Sequence, residues 1–363
     1  MFHAMTDSAR YLTLKAGPAA RAALAESPLT PERIGALAGA AGGPKWLAIA
    51  AFYRALFTDW FATRDTPLPI VGSSIGAWAG AAACHPTDPG GALDALIDAY
   101  IGQRYSMKPD AAEITTTLAG ILDTVLTPDV RTGVLTNPRY RLHAMTVRSR
   151  WSTATDRRAL LAAGSVAAGI ANAASRRWLG AFFERVVFAR DGDTMVYAND
   201  GIASRTVALT EHNLRDAVFA SGNVPLIMQA VQNPAGAPAG LYRDGGITDY
   251  HIDQPLLAPG TSAPIVLMPH FDTKLVPGWL DKRLGWRAPR HADHVLLVGP
   301  GPAMTERLVD GAVPERRDFY RYAGDDAARE RVWRQAIDAG RFMRDAFFDL
   351  AASGRLVDHV ESL

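Results

Sequence analysis

The five residues Gly72-Ser73-Ser74-Ile75-Gly76 carry the sharpest chemical signal in the chain. Glycines two positions either side of a serine let a strand and a helix meet at a tight turn without Cβ clashes, and such a turn lifts the hydroxyl to the carboxyl edge of a sheet. The register is fixed, because centring on Ser73 would need glycine at position 71, which is valine. A helix opening at Ile75 would point its positive end at the same place and favour an oxyanion there. The chemistry this suits is acyl transfer to Ser74. The rival is a glycine turn with an incidental serine. Apolar Leu68-Pro69-Ile70-Val71 before the turn and the small-residue run Ile75 to Cys84 after it favour the nucleophile.

A serine of this kind needs backbone donors for the developing oxyanion, each worth about 3–4 kcal/mol when removed. Upstream, Gly42-Gly43-Pro44-Lys45 would open a helix with Pro44 at its first position. Pro44 has no N–H, so the candidate donors are Gly42, Gly43 and Lys45, joined by Ile75 after the nucleophile. As a nucleotide phosphate loop the segment fails on spacing, since no Gly-x-x-x-x-Gly-Lys-Ser/Thr is present. A plain turn is the remaining rival. The serine also needs a base. In Tyr242-Arg243-Asp244-Gly245-Gly246 an aspartate precedes two glycines that allow a sharp turn into a crowded site, although most Asp-Gly-Gly sequences are ordinary turns.

These segments together resemble the patatin-like phospholipase family. Its glycine-rich oxyanion loop ending in a basic residue, its Gly-x-Ser-x-Gly and its Asp-Gly-Gly look like residues 42–45, Gly72 to Gly76, and Asp244-Gly245-Gly246, in the same order. Ala220-Ser221-Gly222-Asn223-Val224-Pro225 is similar to the Ala-Ser-x-x-x-Pro stretch before the family's aspartate. The resemblance covers roughly residues 34–256. It implies a three-layer α/β/α patatin-like fold with a mainly parallel sheet, formed as a single domain over 1–363 with a C-terminal extension, 257–363, packed on it. It further implies a serine lipid acyl hydrolase of the phospholipase A or esterase type, in which Asp244 orients and deprotonates Ser74 without a histidine. The chain departs from the family pattern in having Ala41 and Trp46 where glycines are usual.

Two other readings compete. An α/β-hydrolase triad would add a histidine after the aspartate, with His251, His270, His291 and His294 as the choices and His270 favoured behind a strand-like Ile265 to Met268. A catalytically silent lipid-binding protein would rest on Trp46 alone. A metal hydrolase lacks a ligand cluster, His291 and His294 being a lone i, i+3 pair, and no cofactor is implied.

The elements that must position these groups read as alternating strand and helix: strands at 34–41 and 67–71, each followed by a glycine turn and a helix, at 46–57 and 75–84. That alternation indicates parallel α/β structure. Further strands are predicted at 140–147, 185–188, 194–197, 264–268 and 294–298, with helices at 92–100, 214–220 and 325–350. The alanine-rich run 159–174 reads by default as a core helix, with an acyl-pocket lining or a lid as alternatives. It is too short and too interrupted to span a bilayer. Among cations in 275–290, Trp279, Leu280, Leu284 and Trp286 suit contact with a membrane or lipid aggregate, although packing inward is the default.

With 48% hydrophobic and 21% charged residues, the 363-residue chain has the composition of a folded protein with a large core. A formal net charge of +1 without a basic run argues against nucleic-acid partners. One cysteine, Cys84, forbids an internal disulfide, and residues 1–10 lack the apolar stretch of a secretory signal. A soluble, cytoplasmic enzyme acting on a lipid or ester is expected.

Overall fold

The computed structural model describes residues 9–193, 195–258 and 260–363. The strands are β1 (Leu12–Ala16), β2 (Ile34–Gly39), β3 (Leu68–Ser73), β4 (Tyr140–Ser149), β5 (Phe183–Ala189), β6 (Ser204–Ala208), β7 (Val231–Gln232), β8 (Leu241–Asp244), β9 (Ile265–Pro269), β10 (Val295–Pro300) and β11 (Val360–Ser362). The helices are α1 (Pro18–Glu26), α2 (Leu47–Ala55), α3 (Ile75–Ala83), α4 (Pro89–Ile101), α5 (Ala111–Val125), α6 (Pro128–Thr136), α7 (Arg158–Ala174), α8 (Leu214–Ser221) and α9 (Asp326–Ala352), with one-turn helices at Pro302–Thr305 and Asp318–Arg321.

One sheet runs β11-β1-β10-β9-β2-β3-β4-β5-β6. Its middle, β10-β9-β2-β3-β4, is parallel throughout, and β1–β10 and β4–β5 are antiparallel. β9 and β10 are continuous apolar runs buried along their whole length, as central parallel strands must be when both faces are covered. β1 alternates buried and half-buried residues near the sheet's edge. The fold is thus mixed α/β, with a mostly parallel central sheet flanked by helices.

The faces are unequal. The larger core takes Leu37, Ile70 and Leu142 from the sheet, with Phe52 of α2, Ala79 of α3, Leu96 of α4 and Trp333 of α9. The opposite face carries Ala36, Ala38, Val71 and Met268 and is closed by non-helical residues such as Ile252, Leu257 and Leu275. A third cluster joins Val147 of β4 to Ala168 of α7.

Two expectations are corrected. The alanine-rich segment is a helix, but not a core one: in α7 only Leu161, Gly164, Ala168 and Asn172 are buried, while Leu160, Val166 and Ile170 are more than half exposed. Small alanines gave it apolar composition without the large side chains that fill a core. Residues 195–197 form no strand, and Thr194 lies outside the described residues. The place beside β5 is taken instead by β6, beyond the Asp191-Gly192 turn.

Strand order explains where a site can form. Successive strands β2, β3 and β4 step one way across the sheet, whereas β9 and β10 add on the other side of β2. Chain segments leaving the carboxyl ends of β2, β3 and β9 therefore diverge around one crevice, the place where open parallel sheets bind ligands. Close packing of α3 on β2 is essential there. A Cβ on Gly76 would lie 2.0 Å from the Gly39 carbonyl oxygen. Gly76→Ala is expected to cost about 2–4 kcal/mol, read as a lower denaturation midpoint, because backbone on both sides must move.

The geometry of β4 matters most. Its residues 143–149 pair with β5 along one edge. The other edge is shared: β3 takes 140–145 in parallel and β8 takes 146–148 antiparallel. Ser73 is registered with Met145 and Asp244 with Thr146, so the carboxyl ends of β3 and β8 meet end to end.

Candidate active site

Ser74 follows β3 directly and caps α3 with φ 57° and ψ −127°, a conformation that costs a non-glycine residue energy and is typical of strand-to-helix elbows. The residue is buried, and its amide donates to Ser221 Oγ at 3.0 Å. Ser221 in turn donates to the Met145 carbonyl at 2.7 Å. One hydroxyl thus ties the strained turn to β4. The Trp78 indole N–H, donating to the Val218 carbonyl at 2.9 Å, fixes α3 against α8 from the same side.

Asp244 ends β8. Its amide donates to the Asn223 carbonyl at 2.9 Å, its carboxylate accepts from the Gly246 amide at 2.7 Å, and the Ser74 side chain lies beside it. Burial pushes the carboxyl up to about 6. The Gly246 amide, the positive field of Arg316, the neighbouring Ser74 hydroxyl and Lys282 offset part of that rise. Gly245 passes so near β4 that a Cβ would lie 2.3 Å from the Met145 carbonyl oxygen, and Gly72 is packed equally tightly on Ala77.

The loop after β2 starts with the Ala41 amide committed to the Tyr250 carbonyl at 2.8 Å. Gly42 is extended, with the Phe271 ring filling the space where a Cβ would be. Gly43, at φ 58°, then turns the chain into a short 3-10 segment, Gly43–Trp46, ahead of α2. Trp46 points away from the site: its indole is buried in the main core at 6.0 Å from the Tyr53 ring, edge to face, and it lines neither cavity at Ser74. The substitution at this position is absorbed by the core.

Ser74 borders two cavities of opposite character. The first, about 320 Å³, is walled by Trp78, Met107, Ile114, Leu118, Ile227 and Phe319, with Gly43 and Ile75 at its Ser74 end. The second, about 380 Å³, brings Gly42, Lys45, Asp244, Lys282 and Arg316 together beside the same serine. Every residue offering a candidate donor thus lines a cavity at Ser74, Gly43 and Ile75 the first, Gly42 and Lys45 the second.

The histidines are elsewhere. His251 and His270 lie against each other, ring centroids 4.1 Å apart, and burial pushes both below the ordinary imidazole range. Neither they nor His291 or His294 line the cavities at Ser74. Asp249 and Asp253 are also occupied, the first by Arg185 at 2.6 Å, the second by the amides of Arg290 and His291. Among the described residues no group of three or more metal-ligating side chains occurs, and no helix is long and apolar enough to cross a membrane.

Arg316 and Tyr250 carried no signal in the sequence, since Arg316 stands in an unremarked stretch brought to Ser74 only by tertiary structure. Lys282 was visible only as one cation among several in 275–290. In that segment Trp279 and Trp286 are 41% and 70% exposed, so they do not pack inward as expected by default, and Trp279 borders the second cavity.

A serine at a strained strand-to-helix turn, backed by a buried aspartate on a mostly parallel sheet, defines an α/β protein with a hydrolase-type elbow. A family model described as patatin-like phospholipase matches residues 37–251, more than half of the chain, and the chain belongs to that family. The family acts on lipid substrates, which points to lipid acyl hydrolase activity. No curated protein and no solved structure matches the chain.

Proposed function

We propose that the chain cleaves carboxylic esters of lipids through a Ser74–Asp244 dyad, acting as one catalytic unit in which residues 257–363 complete the site. The end-to-end meeting of β3 and β8 on the edge of β4 supports this reading, because it brings the Ser74 turn and the buried Asp244 carboxylate side by side on one cavity. Asp244 accepts the Ser74 proton as Oγ forms its bond to the ester carbonyl carbon. The oxygen becomes an oxyanion, met by donors from Gly42, Gly43 and Ile75 with the charge of Lys45 near by. Collapse breaks the bond to the alcohol, which leaves with the proton returned from Asp244. Water, deprotonated by the same carboxylate, then releases the fatty acid and regenerates Ser74. The apolar cavity suits the acyl chain.

A fluorophosphonate probe is expected to label the wild-type protein stoichiometrically and to leave Ser74→Ala unlabelled. The same pair, run on a panel of esters and phospholipids, should show turnover only in the wild type. A well-folded wild type that is neither labelled nor active would favour the silent-binder reading instead.

A further inference from the structure

The second cavity at Ser74 is more positive than ester hydrolysis requires. Lys45, Lys282, Arg316 and Arg317 line it, against the carboxylates of Asp244 and Glu315. Among the described residues, none of these cations closes an ion pair within the protein, although the chain's other arginines do so repeatedly. Lys282 stands over the Tyr250 ring at 3.9 Å and Lys45 over the Phe271 ring at 5.3 Å, so aromatic faces, not carboxylates, hold them in place. Arg316 borders both cavities, its Nε 3.5 Å from where a Cβ on Gly43 would lie. Desolvation first, then the like charges of Lys45 and Arg316, push Lys282 down to about 8, with Asp244 acting the other way. Lys282, Arg316 and Arg317 are exposed and Lys45 half-buried, so solvent screens much of their mutual repulsion.

Four cations against two carboxylates beside the serine leave an excess of positive charge that an anion arriving with the substrate would offset. The apolar cavity takes the acyl chain, so the charged one receives the leaving group. Lys282, Arg316 and Arg317 all lie beyond residue 251, where the family match ends. The extension therefore adds a feature of its own.

Resting on the Ser74–Asp244 reading, we propose that the cavity formed by Lys45, Lys282, Arg316 and Arg317 is a subsite for an anionic, phosphate-bearing leaving group. Lipid esters ending in a phosphate monoester are accordingly preferred over uncharged esters, and over zwitterionic esters whose quaternary ammonium would meet the same cations.

The test uses three hexanoyl esters kept monomeric, so that no charged lipid surface contributes: 1-hexanoylglycerol, its 3-phosphate and its 3-phosphocholine. In the wild type, kcat/KM for the phosphate is expected to exceed that for the neutral ester by about tenfold or more at low ionic strength and to shrink with added salt. Arg316→Gln and Lys282→Gln are each expected to reduce this ratio several-fold, whatever happens to the neutral rate, with Arg316→Lys retaining part of it. Arg321→Gln, an exposed arginine paired with Asp310 and outside both cavities, should leave the ratio unchanged. Equal rates on the three esters, or a preference that survives the Arg316→Gln/Lys282→Gln double variant, overturns the subsite while turnover of the neutral ester still upholds the hydrolase reading. Hydrolysis of none of them by the wild type removes both.

Discussion

Asp244→Asn is expected to lower ester turnover about a thousandfold or more while making the protein more stable at alkaline pH. The amide keeps an oxygen for the Gly246 N–H but cannot take a proton from Ser74. Its effect on stability follows from the raised carboxyl. Folding lifts Asp244 from 3.8 to about 6, so the folded chain holds that proton more tightly than the unfolded one. The group's favourable contribution is complete below pH 3.8 and is lost as pH rises through about 6. Above that range the ionised, buried carboxylate costs the wild type on the order of 3 kcal/mol. Asparagine never ionises. Thermal melts of the two proteins should therefore diverge between pH 4 and pH 8, the variant melting higher at pH 8. Wild-type kcat/KM on a short ester should rise through an apparent pKa near 6 and then level off, because only the carboxylate accepts the proton. Near wild-type turnover in Asp244→Asn would remove the dyad.

Asp249→Ala is expected to act oppositely, costing about 3–5 kcal/mol of stability with a far smaller effect on turnover per folded molecule. Arg185 and Asp249 are both fully buried, with Arg185 Nε 2.6 Å from Asp249 Oδ2 and its NH2 nitrogen 3.1 Å from Oδ1. Thr248 and Gln254 donate to the same carboxylate at 2.7 Å each, and Asp200 flanks the guanidinium at 2.8 Å. Removing Asp249 leaves a buried cation half compensated and the Gln254 amide without its acceptor, while Thr248 keeps only the long bond to the Gly245 carbonyl at 3.4 Å. Urea denaturation of the folded variant measures the loss, and a shift below about 1 kcal/mol would show that Asp200 alone satisfies the arginine. The pair of variants also separates two nearby aspartates of one segment, Asp244 at the serine and Asp249 in the sheet's ionic core.

Much of the site was legible because its parts depend on local chemistry. The elbow needs glycine at 72 and 76, and the turn after Asp244 needs Gly245, so the backbone demand is written in the residues themselves. β2, β3, β9 and β10 were visible as apolar runs, and β4 by its alternation, near their observed bounds. β1 carries a fainter signal, the alternation of Leu12, Leu14 and Ala16 over only five residues. Composition misled where size matters: α7 is apolar by count yet too small-sided to fill a core. Where the Trp46 indole goes was open in the sequence, since a motif position says nothing about which way a side chain turns; the structure buries it in the main core. Arg316 and Lys282 were beyond reach, because long-range folding alone carries them to Ser74.

End-to-end docking of β3 and β8 has a consequence for how such a protein can change. Ser73 and Asp244 are registered on consecutive residues of β4, so twisting or shearing of the sheet carries the reacting pair along as a unit. The walls of the two cavities come from other stretches, 100–118 and 313–326 among them, that do not enter this register. Those stretches can drift in length without entering the register, although a change of charge at Arg316 would also move the Asp244 carboxyl. New substrates are therefore within reach of evolution chiefly by rewriting cavity walls that lie outside the shared strand.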